Sequence, residues 1–117
     1  MLTQADSKLT TIIAEQEAIF IARQPASARL AVAATARLAG GVTSNWQITI
    51  PQPVWISHGA ASKIYDVDGN EYVDMHGGYG AALAGHAHPA IVAAIRGQAA
   101  HGTHFAQPTR DALTVAE

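Results

Sequence analysis

Apolar positions fall at helical spacing in three stretches of the chain and at strand spacing in one. From about Asp6 to Arg23, Leu9, Ile12, Ile13, Ile19 and Phe20 gather near one face, with Glu15, Gln16 and Glu17 largely elsewhere. That spacing predicts an amphipathic helix, with Asp6 or Ser7 able to cap its start. Pro25 stops it, because a residue before proline is steered away from helical backbone. A second helix is predicted over Ala28 to Ala39. Ser27 is its expected N-cap, Leu30, Ala34 and Leu38 form a narrow stripe, and Gly40-Gly41 end it. A third is predicted from Pro89, at its favoured first position, to about Ala100, with Ile91, Ala94 and Ile95 on one face and Gly102 as terminator. Thr109 is placed to cap a last short helix, "RDALTVAE".

Between the second and third helices the period changes. Val42 to Pro53 is irregular, and its two prolines argue against a long strand. Val54 and Ile56 alternate with Trp55 and Ser57. The runs Ile64–Val67 and Glu71–Asp74 then flank Asp68-Gly69-Asn70, a tight-turn triplet. An antiparallel hairpin is predicted here. Gly77 to Gly85 follows as a glycine-rich loop in which backbone is expected to pack close to something. The last helix meets no glycine, cap residue or basic last turn before Glu117, so the sequence reads as the front of a longer chain.

Composition narrows the function. The 117 residues are 49% hydrophobic and only 14% charged. That charge content is well under the roughly 25% of ordinary soluble domains, so some apolar surface is expected to be covered by further chain or a partner. A net charge of -2 without any basic cluster points away from nucleic acid. No stretch reaches the roughly 18 apolar residues of a membrane span, and a soluble, cytoplasmic protein is expected. The absence of cysteine removes thiolate metal sites and disulfides.

Six histidines invite a metal hypothesis. His86 and His88 would diverge on a helix, and with Pro89 next they sit in the turn before one, where an imidazole can bond backbone groups left unpaired at the helix start. His101 and His104 straddle Gly102. No carboxylate spacing completes a metal motif, and no metal site is expected. "GGYGAALAG" lacks the Lys-Ser/Thr of a phosphate loop and the spacing of a dinucleotide fingerprint. The serines lie outside any G-x-S-x-G setting. Lys8 and Lys63, the only lysines, fall on a helix and a hairpin strand.

Four motifs in order carry more. Gly40-Gly41-Val42-Thr43-Ser44, the hairpin Asp66 to Asp74 (D-x-D-G-x-x-Y-x-D), Gly85 to Pro89 (G-H-x-H-P) and Phe105 to Thr109 (F-x-x-P-T) together resemble the N-terminal part of class III pyridoxal-phosphate aminotransferases. The subgroup they resemble is the glutamate-1-semialdehyde aminomutase-like enzymes. The resemblance covers about Ser27 to Glu117. It implies the following organisation: residues 1–25 as an N-terminal helical extension, and residues 26–117 as the N-terminal part of the aminotransferase, ahead of the large cofactor-binding domain.

The implied fold class is α/β, the helices and small antiparallel hairpin sheet that begin a fold-type I transferase. The implied assembly is a homodimer with active sites at the subunit interface, handling a small amino donor and acceptor. The implied cofactor is pyridoxal 5'-phosphate, held in that family as a Schiff base on a lysine and acting as electron sink. The family's phosphate-binding segment, pyridine-pairing Asp and Schiff-base Lys would all follow Glu117. Neither Lys8 nor Lys63 matches the catalytic lysine, so no catalytic or cofactor-binding residue is assigned and the isolated chain is expected to be inactive. Gln47 stands where the aminomutase has a carboxylate-binding arginine, and an amide cannot make that bidentate ion pair. Tyr79 stands where the aminomutase has a pocket tryptophan, and Trp46 lies nearby. Gln47, Tyr79 and Trp46 are therefore the expected substrate-binding positions. The competing readings are a self-contained, non-catalytic α/β interaction module and a histidine metal binder.

Overall fold

The computed structural model describes residues 4–117, with side chains from Ser7 onward. Helix α1 spans Gln4–Ala22 and α2 spans Pro25–Thr35. Two short 3-10 turns follow, Ala39–Gly41 and Asn45–Gln47. Strands β1 (Ile56–Ala60), β2 (Lys63–Asp66) and β3 (Glu71–Val73) form one antiparallel sheet in the order β1-β2-β3. A single irregular turn, α3, covers Gly77–Gly80. Helices α4 (Pro89–Ala99) and α5 (Arg110–Ala116) close the chain.

The expected hairpin is β2–β3, with Ile64 opposite Tyr72 and Tyr65 opposite Glu71. Strand β1 adds a further antiparallel strand, and its register slips between Ile56 and His58. The extra residue there is Ser57, whose hydroxyl donates to the carbonyls of Tyr65 (3.0 Å) and Asp66 (3.1 Å) and so holds the bulge. Thr109 does stand at the N-cap position of α5, without a side-chain bond.

Two expectations about the helix starts are corrected. α1 begins at Gln4, ahead of Asp6 and Ser7. Ser27 does not cap α2: the helix starts at Pro25 after Gln24, and Ser27 is a fully buried residue of its first turn. Its hydroxyl accepts from the Trp55 backbone N–H at 3.2 Å. The cap arrives from the hairpin instead. Asp68 in the β2–β3 turn accepts from the backbone N–H groups of Ala26 (2.6 Å) and Ser27 (2.9 Å) through its two carboxylate oxygens. Pro25 thus ends one helix and begins the next, having no N–H of its own for a cap to satisfy.

Asp66 organises the same junction from inside. It is 2% exposed. One carboxylate oxygen accepts from the backbone N–H groups of Asp68 (3.0 Å) and Asn70 (2.8 Å); the other accepts from the Asn70 side-chain amide and the Tyr72 hydroxyl, both at 2.8 Å. Asn70 also donates to the Arg23 carbonyl (2.9 Å), and the Tyr72 oxygen accepts from Gln24 (3.2 Å). Burial pushes the Asp66 carboxyl upward, but these bonds outweigh it and hold the group below its ordinary value. Burial, then the bond to Asp66, pushes Tyr72 up to about 12.

Apolar packing is thin by comparison. Ala34 and Val42 are the buried hydrophobic residues of the described chain, whereas Leu9, Ile12, Ile13, Ile19 and Leu83 stand exposed. The radius of gyration is 20.5 Å, against about 13 Å for a compact domain of this length. Ile56, on strand β1, is 46% exposed. The low charge content thus corresponds to apolar surface that this chain does not cover itself.

Replacing Asp68 with Ala should cost about 1 kcal/mol through loss of the α2 cap, read as a lower urea midpoint. Tyr72 should ionise at about 12 in an ultraviolet titration, falling back toward the free phenol value near 10 in an Asp66→Asn variant, once the carboxylate charge is gone. A raised tyrosine pKa stabilises the fold fully below the free value, and that contribution is lost as pH rises through the folded one.

Candidate functional site

Residues from three segments, 42–49, 53–56 and 74–78, together with Ile64, line an open cleft of about 670 Å³. The first segment is the Asn45–Gln47 turn. Ser44 caps it in a reciprocal box: the Ser44 side chain accepts from the turn's backbone, and Gln47 reaches back. The Gln47 side-chain oxygen accepts from Thr43 N–H (3.2 Å), Thr43 Oγ1 (2.8 Å) and Ser44 N–H (3.1 Å). Gln47 lines the cleft while its acceptor serves its own loop.

The last of these segments leaves β3 at Asp74 and enters the glycine-rich stretch. One Asp74 oxygen accepts from the N–H groups of His76 and Gly77, both at 2.9 Å. These bonds turn the chain sharply and aim the His76 ring back at the first segment. His76 stacks on Trp46 with ring centres 5.3 Å apart and planes 10° apart. Tyr79 meets His76 edge-on at 4.3 Å and Trp46 edge-on at 5.7 Å. Two of the three expected site residues, Trp46 and Tyr79, are therefore in contact, and Gln47 is next in sequence to Trp46. His76, which the sequence reading passed over, completes the aromatic cluster. The signal that could have found it is its position one residue before the glycine pair.

Positive φ at Gly77, Gly78, Tyr79 and Gly80 (54°, 58°, 59° and 81°) makes the turn. A side chain added at Gly78 or Gly80 would meet nothing within 4 Å. Within this chain these two glycines serve backbone conformation; the close packing expected of the stretch is met at its end, where a Cβ on Gly85 would lie 2.8 Å from the Ala61 carbonyl oxygen. Tyr79 holds the left-handed conformation without being glycine, the kind of backbone strain that marks ligand-facing loops.

His86 is corrected as well. Its imidazole does not serve the start of α4; Nε2 donates to the other Asp74 oxygen at 2.6 Å. His88 is the N-cap residue of α4 and makes no side-chain cap bond. Bonds from Gly77, His86 and His76 hold the Asp74 carboxyl down at about 2, so it is ionised at neutral pH. His101 bonds the Gly97 carbonyl (3.0 Å) and His104 the Thr103 hydroxyl (2.9 Å). Among the described residues, no group of three His, Asp or Glu side chains converges as a metal site.

The cleft is lined by apolar and neutral polar residues plus Asp74 and His76, and by no lysine or arginine. Lys63 lies exposed on β2 in an ion pair with Glu71, and that hydrogen bond raises its pKa. Lys8 lies exposed on α1. Neither amine lines this cleft. The described residues therefore do not by themselves fit an aldehyde cofactor that must be held by a lysine. No described helix is long and apolar enough to cross a membrane.

Comparison with known proteins fits this geometry. The class-III aminotransferase family model matches residues 44–116, well over half of the chain and including Trp46, His76 and Tyr79. A glutamate-1-semialdehyde 2,1-aminomutase of Sorangium cellulosum is 39% identical over 98 residues, which is 81% of this chain and 22% of that protein. The aminomutase 2 of Brevibacillus brevis is 53% identical over 57 residues, 49% of this chain and 13% of that one. Among solved structures, a glutamate-1-semialdehyde aminomutase from Pseudomonas aeruginosa superposes with a TM-score of 0.82 at 29% identity, covering 93% of this chain and 24% of its own. A transaminase with PLP bound gives 0.74 at 33% identity, covering 80% and 22%. The chain spans about a fifth of the length of such relatives. It belongs to the class-III aminotransferases, a pyridoxal-phosphate-dependent family, and within them to the glutamate-1-semialdehyde aminomutase-like group.

Proposed function

We propose that residues 26–117 are the N-terminal part of a pyridoxal-phosphate-dependent aminotransferase or 2,1-aminomutase for a small amino acid or amino-aldehyde, and residues 1–25 a helical extension of it. The enzyme works as a homodimer in the cytoplasm. The chain supplies one wall of the substrate site, with Trp46, Tyr79 and Gln47 facing the substrate. The lysine that holds the cofactor comes from polypeptide other than these 117 residues, so the isolated chain is inactive.

The observation that carries this reading is the aromatic cluster. Residues 46, 76 and 79, from two separate segments inside the family match, meet at the rim of an open cleft that holds no amine. A self-contained interaction module accords less well with a chain whose buried apolar residues are Ala34 and Val42. When bound, the cofactor supplies the electron sink for proton movement next to nitrogen. This chain's part is to position and select.

Selection follows from charge. Gln47 carries none, and Asp74 at the cleft is anionic. A substrate carboxylate finds no guanidinium among the residues lining this cleft and meets the Asp74 charge, which weighs against glutamate-1-semialdehyde, whose single carboxylate would need such a partner.

The isolated chain mixed with pyridoxal phosphate should give no amino transfer. The gene product extended by its remaining polypeptide should bind the cofactor with visible absorbance and transfer amino groups. Transamination by residues 1–117 alone, lost on replacing Lys8 or Lys63, would refute the reading. In the complete enzyme, Gln47→Arg should raise kcat/KM for a carboxylate-bearing amino donor about tenfold relative to an uncharged one, the scale of one charge-assisted pair. An unchanged ratio would place Gln47 away from the substrate.

A further inference from the structure

We infer that His86 is a positioning residue: through Asp74 it clasps the 74–86 segment into an arch and thereby sets where the Trp46–His76–Tyr79 cluster stands.

Both feet of the arch rest on one turn. Asp74 N–H donates to the Ser62 carbonyl at 2.9 Å. Ala61 and His86 exchange both backbone bonds, at 2.9 and 2.8 Å. Ala61 and Ser62 are adjacent, so the ends of a 13-residue segment are pinned side by side. Within the arch, backbone bonds such as Ala82 N–H to the Gly77 carbonyl (2.9 Å) and Gly85 N–H to the Ala82 carbonyl (2.8 Å) shape the chain locally, while apolar packing adds little. Met75 and Leu83 are 91% and 95% exposed, and no arch residue is fully buried. The side-chain tie between the feet is the 2.6 Å bond from His86 to Asp74.

That tie reaches the cluster in two steps. Asp74 uses one oxygen for His86 and the other for the N–H groups of His76 and Gly77. Fixing the first oxygen fixes the carboxylate plane, and with it the turn that presents His76 to Trp46. His76 in turn accepts from the Tyr79 N–H at 3.2 Å. Among the described residues His86 forms no hydrogen bond or ring contact with the cluster, so its influence passes through Asp74.

An independent feature makes room for the clasp. A Cβ at Gly59 would lie 2.5 Å from the His86 ring carbon Cγ. Glycine on β1 is therefore what lets the imidazole lie over the strand and reach Asp74. Gly85 has the same role for the backbone, since a Cβ there would lie 2.8 Å from the Ala61 carbonyl oxygen.

The clasp is tested in two ways. In the complete enzyme, the near-ultraviolet circular dichroism lost on Trp46→Phe reports the stacked cluster. His86→Ala and Gly59→Ala should each remove at least about half of that signal while far-ultraviolet helix content persists. His86→Gln, which keeps an N–H donor, should retain most of it. A full Trp46-dependent signal in both His86→Ala and Gly59→Ala overturns the inference, as does equal loss in His86→Gln and His86→Ala. In the complete enzyme, and resting on the proposed function, His86→Ala should raise KM for the amino donor about tenfold with kcat within about threefold, the pattern of lost binding geometry. Loss of kcat alone would count against it. An enzyme without aminotransferase activity would defeat the functional reading and leave the dichroism result to decide the clasp.

Discussion

The buried Asp66 carboxylate is the constraint on which the rest of the fold depends. An ionised group at 2% exposure is tolerable only when its lone pairs are filled. Here they are filled by the turn it closes and by Tyr72 on the next strand. Asn70 and Tyr72, so fixed, bond onward to Arg23 and Gln24 at the α1–α2 elbow, and Asp68 caps α2. A five-residue turn thus joins two helices to the sheet. With so little buried hydrocarbon, this polar junction does the locating that a core does elsewhere.

The aromatic cluster hangs from the same sheet by a second carboxylate. Asp66 ends β2 and Asp74 follows β3, so the hairpin register that places one places the other. Each uses one oxygen to shape local backbone and the other to hold side chains, Asn70 and Tyr72 for Asp66 and His86 for Asp74. The difference is burial. Asp66 is sealed and structural, whereas Asp74 lines the open cleft and carries its charge there.

Much of this was legible in the residues. Asp68-Gly69-Asn70 marked the hairpin because the triplet is a local conformational signal. Pro89 and Gly102 bracketed α4 for the same reason. Helix capping was less legible. Ser27 had the right type for an N-cap, but the cap position went to a residue whose neighbour is Pro25, and the capping group came from 41 residues away. His86 was likewise read by its neighbours in sequence and turned out to serve a carboxylate twelve positions upstream.

The sequence by itself determined the elements, the family and two of the aromatic residues at the cleft, because turns, helix starts and ordered motifs are encoded in neighbouring residues. Tertiary structure alone decided what Asp66, Asp68, Asp74 and His86 bond to, that His76 joins Trp46 and Tyr79, and that the cleft is free of cations. Those are pairings across long separations. They depend on the register of the sheet and on where a glycine leaves space, and no local pattern of residue types specifies either.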